Sequence, residues 1–524
     1  MFIELFIFLI TFLVVYFLYC RKRVHDHFRK RDVRFIPGYP IYGNTYGSMS
    51  ERKHMSDEIV EVYNAFPGER YVGFIEGTNP IMLIRDIEII KSITVKNFDH
   101  FVDHKEFIPV QEDIFGKSMF SMKGNTWRDM RTTLSPAFTG SKMRLMMPSM
   151  IEVSQNVVEY LRDNPDEITD VDDLMRRYTN DVIAAAGFGL EVNSFKDKNN
   201  EFYRIGQSLF KFTLKQKLYS FLFLSAPAIT KFFKLKLFPE ATVQFFRGIV
   251  ASTMEHREKN KIERPDMIQL LMEASKGTLT SNQTTEEGDV GFATVQEMLK
   301  PQGNSRKWDL DDLAGQVFIF FTAGFETSAS TLVMAVHEMA LNPSIQVKLY
   351  AEVSAFHHTK KLTYETIGEL KYLDCVLNET LRKWSPAIIM DRVCVKAFDL
   401  PPPREGAQPV RLNPGDVVYN MVNAIHQDPE YYPDPEKFDP DRFSDENKHK
   451  IAPFTYMPFG MGPRACVGSR FALLELKVLL YHLVLNFKIH RCEKTMDPIK
   501  LVPEGFNIRA ANGTFVRFEN RFLN

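Results

Sequence analysis

Cys466 is set for ligand chemistry. It lies in the run Phe459-Gly460-Met461-Gly462-Pro463-Arg464-Ala465-Cys466-Val467-Gly468, directly ahead of the helical pattern SRFALLELKVLLYHLVL. The glycines and the proline impose a tight, irregular loop. A cysteine just before a helix N-terminus meets free backbone N–H groups and the positive end of the helix dipole, and both favour a thiolate. The glycines also let backbone approach a flat cofactor closely. The other four cysteines, Cys20, Cys375, Cys394 and Cys492, stand in no such loop. The number is odd and no CxxC pair occurs, which speaks against a disulfide framework or a zinc site.

A second set of reactive types sits in a long helical pattern from about 310 to 342. Asp309 is a good N-cap, with Asp311 and Asp312 in the first turn, and Pro343 follows the end. The middle reads Phe320-Phe321-Thr322-Ala323-Gly324-Phe325-Glu326-Thr327-Ser328. A mid-helix glycine costs about 1 kcal/mol against alanine. A threonine there bonds back to the i−4 carbonyl and bends the helix. Such a centre is expected to open locally and admit a small molecule. Elsewhere Glu379 and Arg382 form an i,i+3 pair, and Trp127 and Arg131, four apart, share a helix face.

Together these residues resemble a known family. Phe459, Gly462, Arg464, Cys466 and Gly468 fill every fixed position of F-x-x-G-x-R-x-C-x-G, the cytochrome P-450 signature. Ala323 to Ser328 match A-G-x-[DE]-T-[TS], and Glu379 to Arg382 match E-x-x-R. Trp127 to Arg131 match W-x-x-x-R, and Pro440-Asp441-Arg442-Phe443 resembles P-E-R-F with Asp for Glu. The stretches RFIPGYPIYGN, KGNTWRDMRTTLSPAFTGSKMRLMMPSM and DVIAAAGFGL resemble insect microsomal enzymes of the family-9 group, and the likeness covers essentially the whole chain.

The resemblance implies a mostly α fold with small β-sheets (α+β) around haem b. It implies Cys466 as axial thiolate, pushing electron density toward O–O cleavage. Trp127, Arg131, Arg392 and Arg464 are then expected at the haem propionates, with Phe459 and Ala323 beside the ring. Glu379, Arg382 and Arg442 form a buried triad that braces the cysteine loop. Thr327 hydrogen-bonds dioxygen and water, and Glu326 with solvent supplies protons. Electrons come from NADPH through a separate membrane-bound reductase. The substrate pocket maps onto Phe115, Phe120, Phe318, Phe321, Ile388, Ile389 and Phe506. These are apolar, which suits a lipophilic substrate held by shape and burial. The expected activity is monooxygenation of xenobiotics such as plant toxins and insecticides. Oxidation of endogenous hormones or fatty acids is the same chemistry on other substrates. Peroxide rearrangement is disfavoured by the intact Glu326-Thr327. A non-catalytic haem-bearing membrane protein is disfavoured by the full motif set.

The elements that must position these groups are legible in outline. The chain has 524 residues, 65 Lys+Arg against 66 Asp+Glu, and 44 Phe, 19 Tyr and 3 Trp. Such a charge balance gives no support for nucleic-acid binding. The opening MFIELFIFLITFLVVYFLYC rises roughly 29 Å as a helix, about one bilayer core. Arg21, Lys22, Arg23, Arg29, Lys30, Arg31 and Arg34 follow, so an uncleaved anchor with the body in the cytosol, at the endoplasmic reticulum, is expected. The organisation expected is a transmembrane anchor over 1–20, a basic flank and Pro-rich hinge over 21–45, and a monooxygenase body over 46–524. The stretch 221–246 alternates lysines with phenylalanines and leucines, the composition of a segment lying at a membrane interface. Helical periodicity dominates 140–390, and strand-like pieces occur near 70–85 and in the last third.

Overall fold

The computed structural model describes residues 2–107, 114–165, 167–264, 266–276, 290–299, 307–503 and 507–521. A helix over Leu310–Leu341, the central helix, runs through the core. It is apolar on all sides, the pattern of a helix buried all round. Its start is fixed by a capping box, in which Asp309 and Asp312 each accept the other's backbone N–H. The expected N-cap is therefore the observed one. Helices Val171–Val182, Glu240–Asn260, Lys371–Lys383 and Ser469–Asn486 pack around it.

The strands form small sheets at the periphery. In chain order they are β1 (Tyr71–Glu76), β2 (Asn79–Ile84), β3 (Ile168–Asp170), β4 (Met390–Val393), β5 (Phe398–Leu400), β6 (Val410–Leu412), β7 (Val417–Asn420), β8 (Phe487–Arg491) and β9 (Phe515–Asn520). One sheet has the order β1-β2-β7-β4, with β2 and β7 parallel; the others are β3-β9-β8 and β5-β6. The hairpin expected over 70–85 is β1–β2, paired from Tyr71↔Ile84 to Glu76↔Asn79. Strand β4 carries Asp391 and Arg392 inward and pairs with β7. That pairing fixes the backbone of Arg392.

The first helix spans Phe2–Arg29 and passes residue 20 without a break. Its apolar part is exposed, whereas Cys20, Val24 and Phe28 are buried against the body. The ring of Phe28 lies 5.1 Å from that of Phe35. The segment 35–44, expected as a hinge, is laid on the edge of β1, with Phe35 bridging Gly73 and Gly43 bridging Glu76. Gly43 has a φ of +62°, and a Cβ there would sit 2.2 Å from the Ile75 carbonyl oxygen. Only glycine permits that approach. Farther on, helices Leu214–Ser225 and Pro227–Phe232 leave Leu214, Phe232 and Phe233 projecting into solvent. That exposure suits the interfacial reading of this region.

Candidate active site around Cys466 and Thr327

The cysteine loop is held by its own backbone. The Cys466 N–H donates to the Phe459 carbonyl at 2.8 Å, and the Ala465 N–H to that of Gly462 at 2.9 Å. Gly460 and Gly462 have φ of +74° and +72°. A Cβ on Gly462 would fall 1.9 Å from the Thr94 carbonyl oxygen, so the loop is pressed onto residues 92–96. Cys466 has accessible surface, although its thiol lies deep among protein atoms. Burial pushes the thiol up, and the Gly468 amide and the Arg131 charge oppose it only in part. A metal cation at the sulfur would favour the thiolate.

The central helix turns the same kind of surface inward. Ala323 and Thr327, one turn apart, are exposed, while Phe321, Phe325, Glu326, Ser328 and Ala329 are buried. Thr327 donates its hydroxyl to the Ala323 carbonyl at 2.6 Å, which leaves its oxygen lone pairs available. The helix is continuous through this point. A ring contact connects it to the cysteine loop. Phe138 lies 5.5 Å from Phe320 and within 3.6 Å of where a Cβ on Gly468 would stand.

Two of the expected pocket residues point elsewhere. At about 100° per residue, Phe318 is roughly 180° and Phe321 roughly 120° around the helix from Thr327. Both are 0% exposed. Phe318 packs on Phe246 at 5.2 Å and Phe321 on Phe202 at 4.9 Å. They are core residues of the opposite face. Phe320 and Ile319, partly exposed, take the place nearer Thr327. Phe115 touches Phe120 at 5.9 Å and Phe318 at 6.4 Å. Ile388 is buried and Ile389 half-buried beside β4, and Phe506 lies outside the described residues.

Three guanidiniums converge near the cysteine loop. Arg464 donates to the carbonyls of Val102 and Met122 at 2.8 Å and of Met119 at 3.3 Å, and its guanidinium lies 4.0 Å over the Trp127 ring. Arg131 donates to the Ala465 carbonyl and to Glu297, both at 2.8 Å. Arg392 bonds its own Asp391 carbonyl at 2.6 Å, and its buried Nε has no partner among the described residues. Burial and the nearby Arg392 hold Arg464 well below the usual guanidinium range, with Asp103 and Asp391 opposing. Like charges gathered in the interior with a donor to spare suit a further anion. The carboxylates of a haem edge fit that need.

The expected triad assembles. Arg382 clasps Glu379 with two bonds of 2.7 and 2.8 Å, and Arg442 approaches the same carboxylate at 3.4 Å. Arg382 also donates to the His426 carbonyl at 2.8 Å. His426 was not singled out in the sequence. Its Nε2 accepts the Met457 N–H at 3.0 Å, and the Met457 carbonyl accepts from Gly460. Burial drives its pKa down to about 3, so the ring is neutral and free to accept. Only the tertiary fold brings it there; a lone histidine in VNAIHQD gives no signal.

Glu326 stands in a buried ion-paired cluster. It is 1% exposed, and its carboxylate is paired with Arg176 at 3.1 Å and Arg509 at 2.9 Å. These groups wall a surface cleft of roughly 240 Å³ together with Asp170, Asp173, Gln207 and Lys211.

Comparison with known proteins agrees with this geometry. The Cytochrome P450 family model matches residues 34–515. The chain is 40% identical to cytochrome P450 9e2 of Blattella germanica, over 95% of this chain and 94% of that one. It is 38% identical to the probable cytochrome P450 9f2 of Drosophila melanogaster, over 95% of each. It is 33% identical to cytochrome P450 6k1 of Blattella germanica, over 97% and 96%. A family model spanning nearly the whole body, full-length relatives, and a loop, helix and arginine cluster suited to one cofactor lead to a single assignment: the chain belongs to the cytochrome P450 family, as a haem b monooxygenase akin to the insect family-9 members.

Proposed function

We propose that this protein uses O2 and two NADPH-derived electrons to insert one oxygen atom into lipophilic small molecules, chiefly foreign ones such as plant toxins and insecticides. The second oxygen leaves as water, at the expense of two protons. The exposed pair Ala323 and Thr327 on a largely buried helix carries the reading, because it offers a polar hydroxyl on the side of the helix where Phe320 also lies. Haem b, held through Cys466, supplies the redox chemistry and dioxygen activation when bound.

The protein's own groups position, exclude water and manage protons. Arg392, Arg464, Arg131 and Trp127 would hold the propionate edge of the bound cofactor, with Phe459 beside it. Thr327 already gives its proton to the Ala323 carbonyl, so its oxygen is an acceptor toward the reaction space. Glu326 stands at the cleft on the helix's other side, where a proton from solvent reaches its carboxylate when an arginine partner lets go. The shell that includes Phe115, Phe120 and Phe320 keeps the space apolar. Glu379, Arg382 and Arg442 act on the loop and not on the substrate.

The first helix serves as a single-pass anchor in the endoplasmic reticulum membrane. The basic run after Cys20 keeps the body on the cytosolic side, within reach of a membrane-bound reductase. Two measurements test the reading. The reduced protein with CO should show a thiolate-type red-shifted Soret band that Cys466→Ala abolishes; survival of the band sinks the ligand assignment. Incubation with reductase, NADPH and a panel of toxins and hormones should give oxygenated toxins. NADPH consumption with product only from hormones would move the substrate class. Thr327→Ala should release more peroxide at equal haem content.

A further inference from the structure

The first helix does not end where its apolar stretch ends. It runs on to Arg29, and Cys20, Val24 and Phe28 fasten one stripe of it to the body. The rotation of the helix about its axis is thereby fixed. A neighbouring stripe, at positions 18, 21, 22, 25 and 29, is turned toward Pro37 of the segment laid on the sheet edge. Between them lies a cleft of roughly 370 Å³, lined by Leu18, Arg21, Lys22, His25, Asp26, Arg29 and Pro37.

The cleft carries an excess of positive charge. Arg21, Lys22 and Arg29 are exposed, and none of them forms an ion pair or side-chain hydrogen bond among the described residues. Asp26 is the one acidic group in the lining. His25 is buried and its Nε2 bonds the Pro37 carbonyl at 3.0 Å, which closes the floor. Leu18 forms the opposite lip, where the apolar run Phe2–Tyr19 begins. One end of the cleft therefore suits a phosphate, and the other opens onto a surface that suits an acyl chain.

We propose that this cleft binds the phosphate of an anionic phospholipid at the point where the helix leaves the bilayer. The proposal rests on the reading of the first helix as a membrane anchor. A free phosphate satisfies the cations but has nothing to lay along Leu18 and the apolar helix, so the lipid is the occupant. Because the helix is continuous and docked, the bound headgroup fixes the height and tilt of the whole body relative to the membrane.

The test uses the full-length holoprotein, reconstituted in phosphatidylcholine vesicles with and without phosphatidylserine. The protein should float with neutral vesicles and, in mixed ones, retain phosphatidylserine over phosphatidylcholine on mild extraction, as read by native mass spectrometry. Arg21→Gln/Lys22→Gln/Arg29→Gln should still float with neutral vesicles but weaken phosphatidylserine retention about tenfold or more, as expected from losing three basic groups near the surface. A control of equal charge change, Lys448→Gln/Lys450→Gln/Lys494→Gln, should keep the retention. Inorganic phosphate at millimolar levels should not displace the lipid. Retention unchanged in the cleft variant, equally lost in the control, or displaced by phosphate overturns the site while leaving the anchor standing. Failure of the wild type to float with neutral vesicles overturns the anchor, and the site with it.

Discussion

The Nε2 of His426 accepts the backbone N–H of Met457 at 3.0 Å, and through that bond the triad reaches the cysteine loop. Arg382 holds the His426 carbonyl, His426 holds Met457, Met457 holds Gly460, and Phe459 holds Cys466. The brace implied by E-x-x-R is thus relayed through a ring and a strap of backbone.

His426→Ala leaves the buried Met457 amide without an acceptor, which costs about 1–3 kcal/mol. Haem transfer to apomyoglobin should accelerate, and His426→Gln, which keeps an acceptor, should restore part of the retention. Acid should act at the same point. The folded pKa, about 3, lies below the ordinary 6.5, so the unfolded state takes up the proton first. Stability from this residue is complete above pH 6.5 and is lost as pH falls toward 3, on the order of 5 kcal/mol in all. Denaturant midpoints across that window measure it.

Glu475 has the opposite sign. It is fully buried on helix Ser469–Asn486 and forms no ion pair among the described residues. Burial raises its pKa to about 8, with the Ser328 hydroxyl drawing it back only in part. The folded state therefore holds the proton more tightly than the unfolded one. Stability should fall from pH 4.5 to 8, again on the order of 5 kcal/mol, and level off above. Glu475→Gln should abolish that slope and be the more stable protein at pH 8. An unchanged slope in the variant would refute the assignment.

Arg392 should separate apoprotein from holoprotein. Its Nε is orphaned and its charge acts against Arg464. Arg392→Met should hold or raise the melting temperature of the haem-free protein while speeding haem loss by about tenfold, near the value of one charge-assisted bond. Equal destabilisation of both forms would mean that Arg392 serves the fold alone.

Glu326→Gln leaves Arg176 and Arg509 without their shared carboxylate. Breaking a buried pair costs about 3 kcal/mol, and the melting temperature should fall. Adding Arg509→Gln should recover much of that stability but not product formation. Recovery of both would show that Glu326 only neutralises its neighbours.

The motifs carried the site's chemistry, while directions and relays came from packing. The loop 459–468, the capping box at Asp309 and the β1–β2 hairpin are local features, and local sequence specifies them. The placement of Phe318 and Phe321 was also legible in principle, since helical periodicity alone puts them behind Thr327. His426, Arg176, Arg509 and Glu297 were not legible, because their roles arise from residues tens to hundreds of positions away. The burial that raises the Cys466 thiol is likewise a property of the whole fold.

Arg464 grips the carbonyl oxygens of Val102, Met119 and Met122, and not their side chains. Any residue type presents a carbonyl. The stretches 102–107 and 114–122 are consequently tethered through their backbone while their side chains stay free to change. Under the function proposed above, mutation of Phe115 or Phe120 would reshape what this enzyme accepts without disturbing the bonds of Arg464, which would make these positions a place where new appetites evolve cheaply.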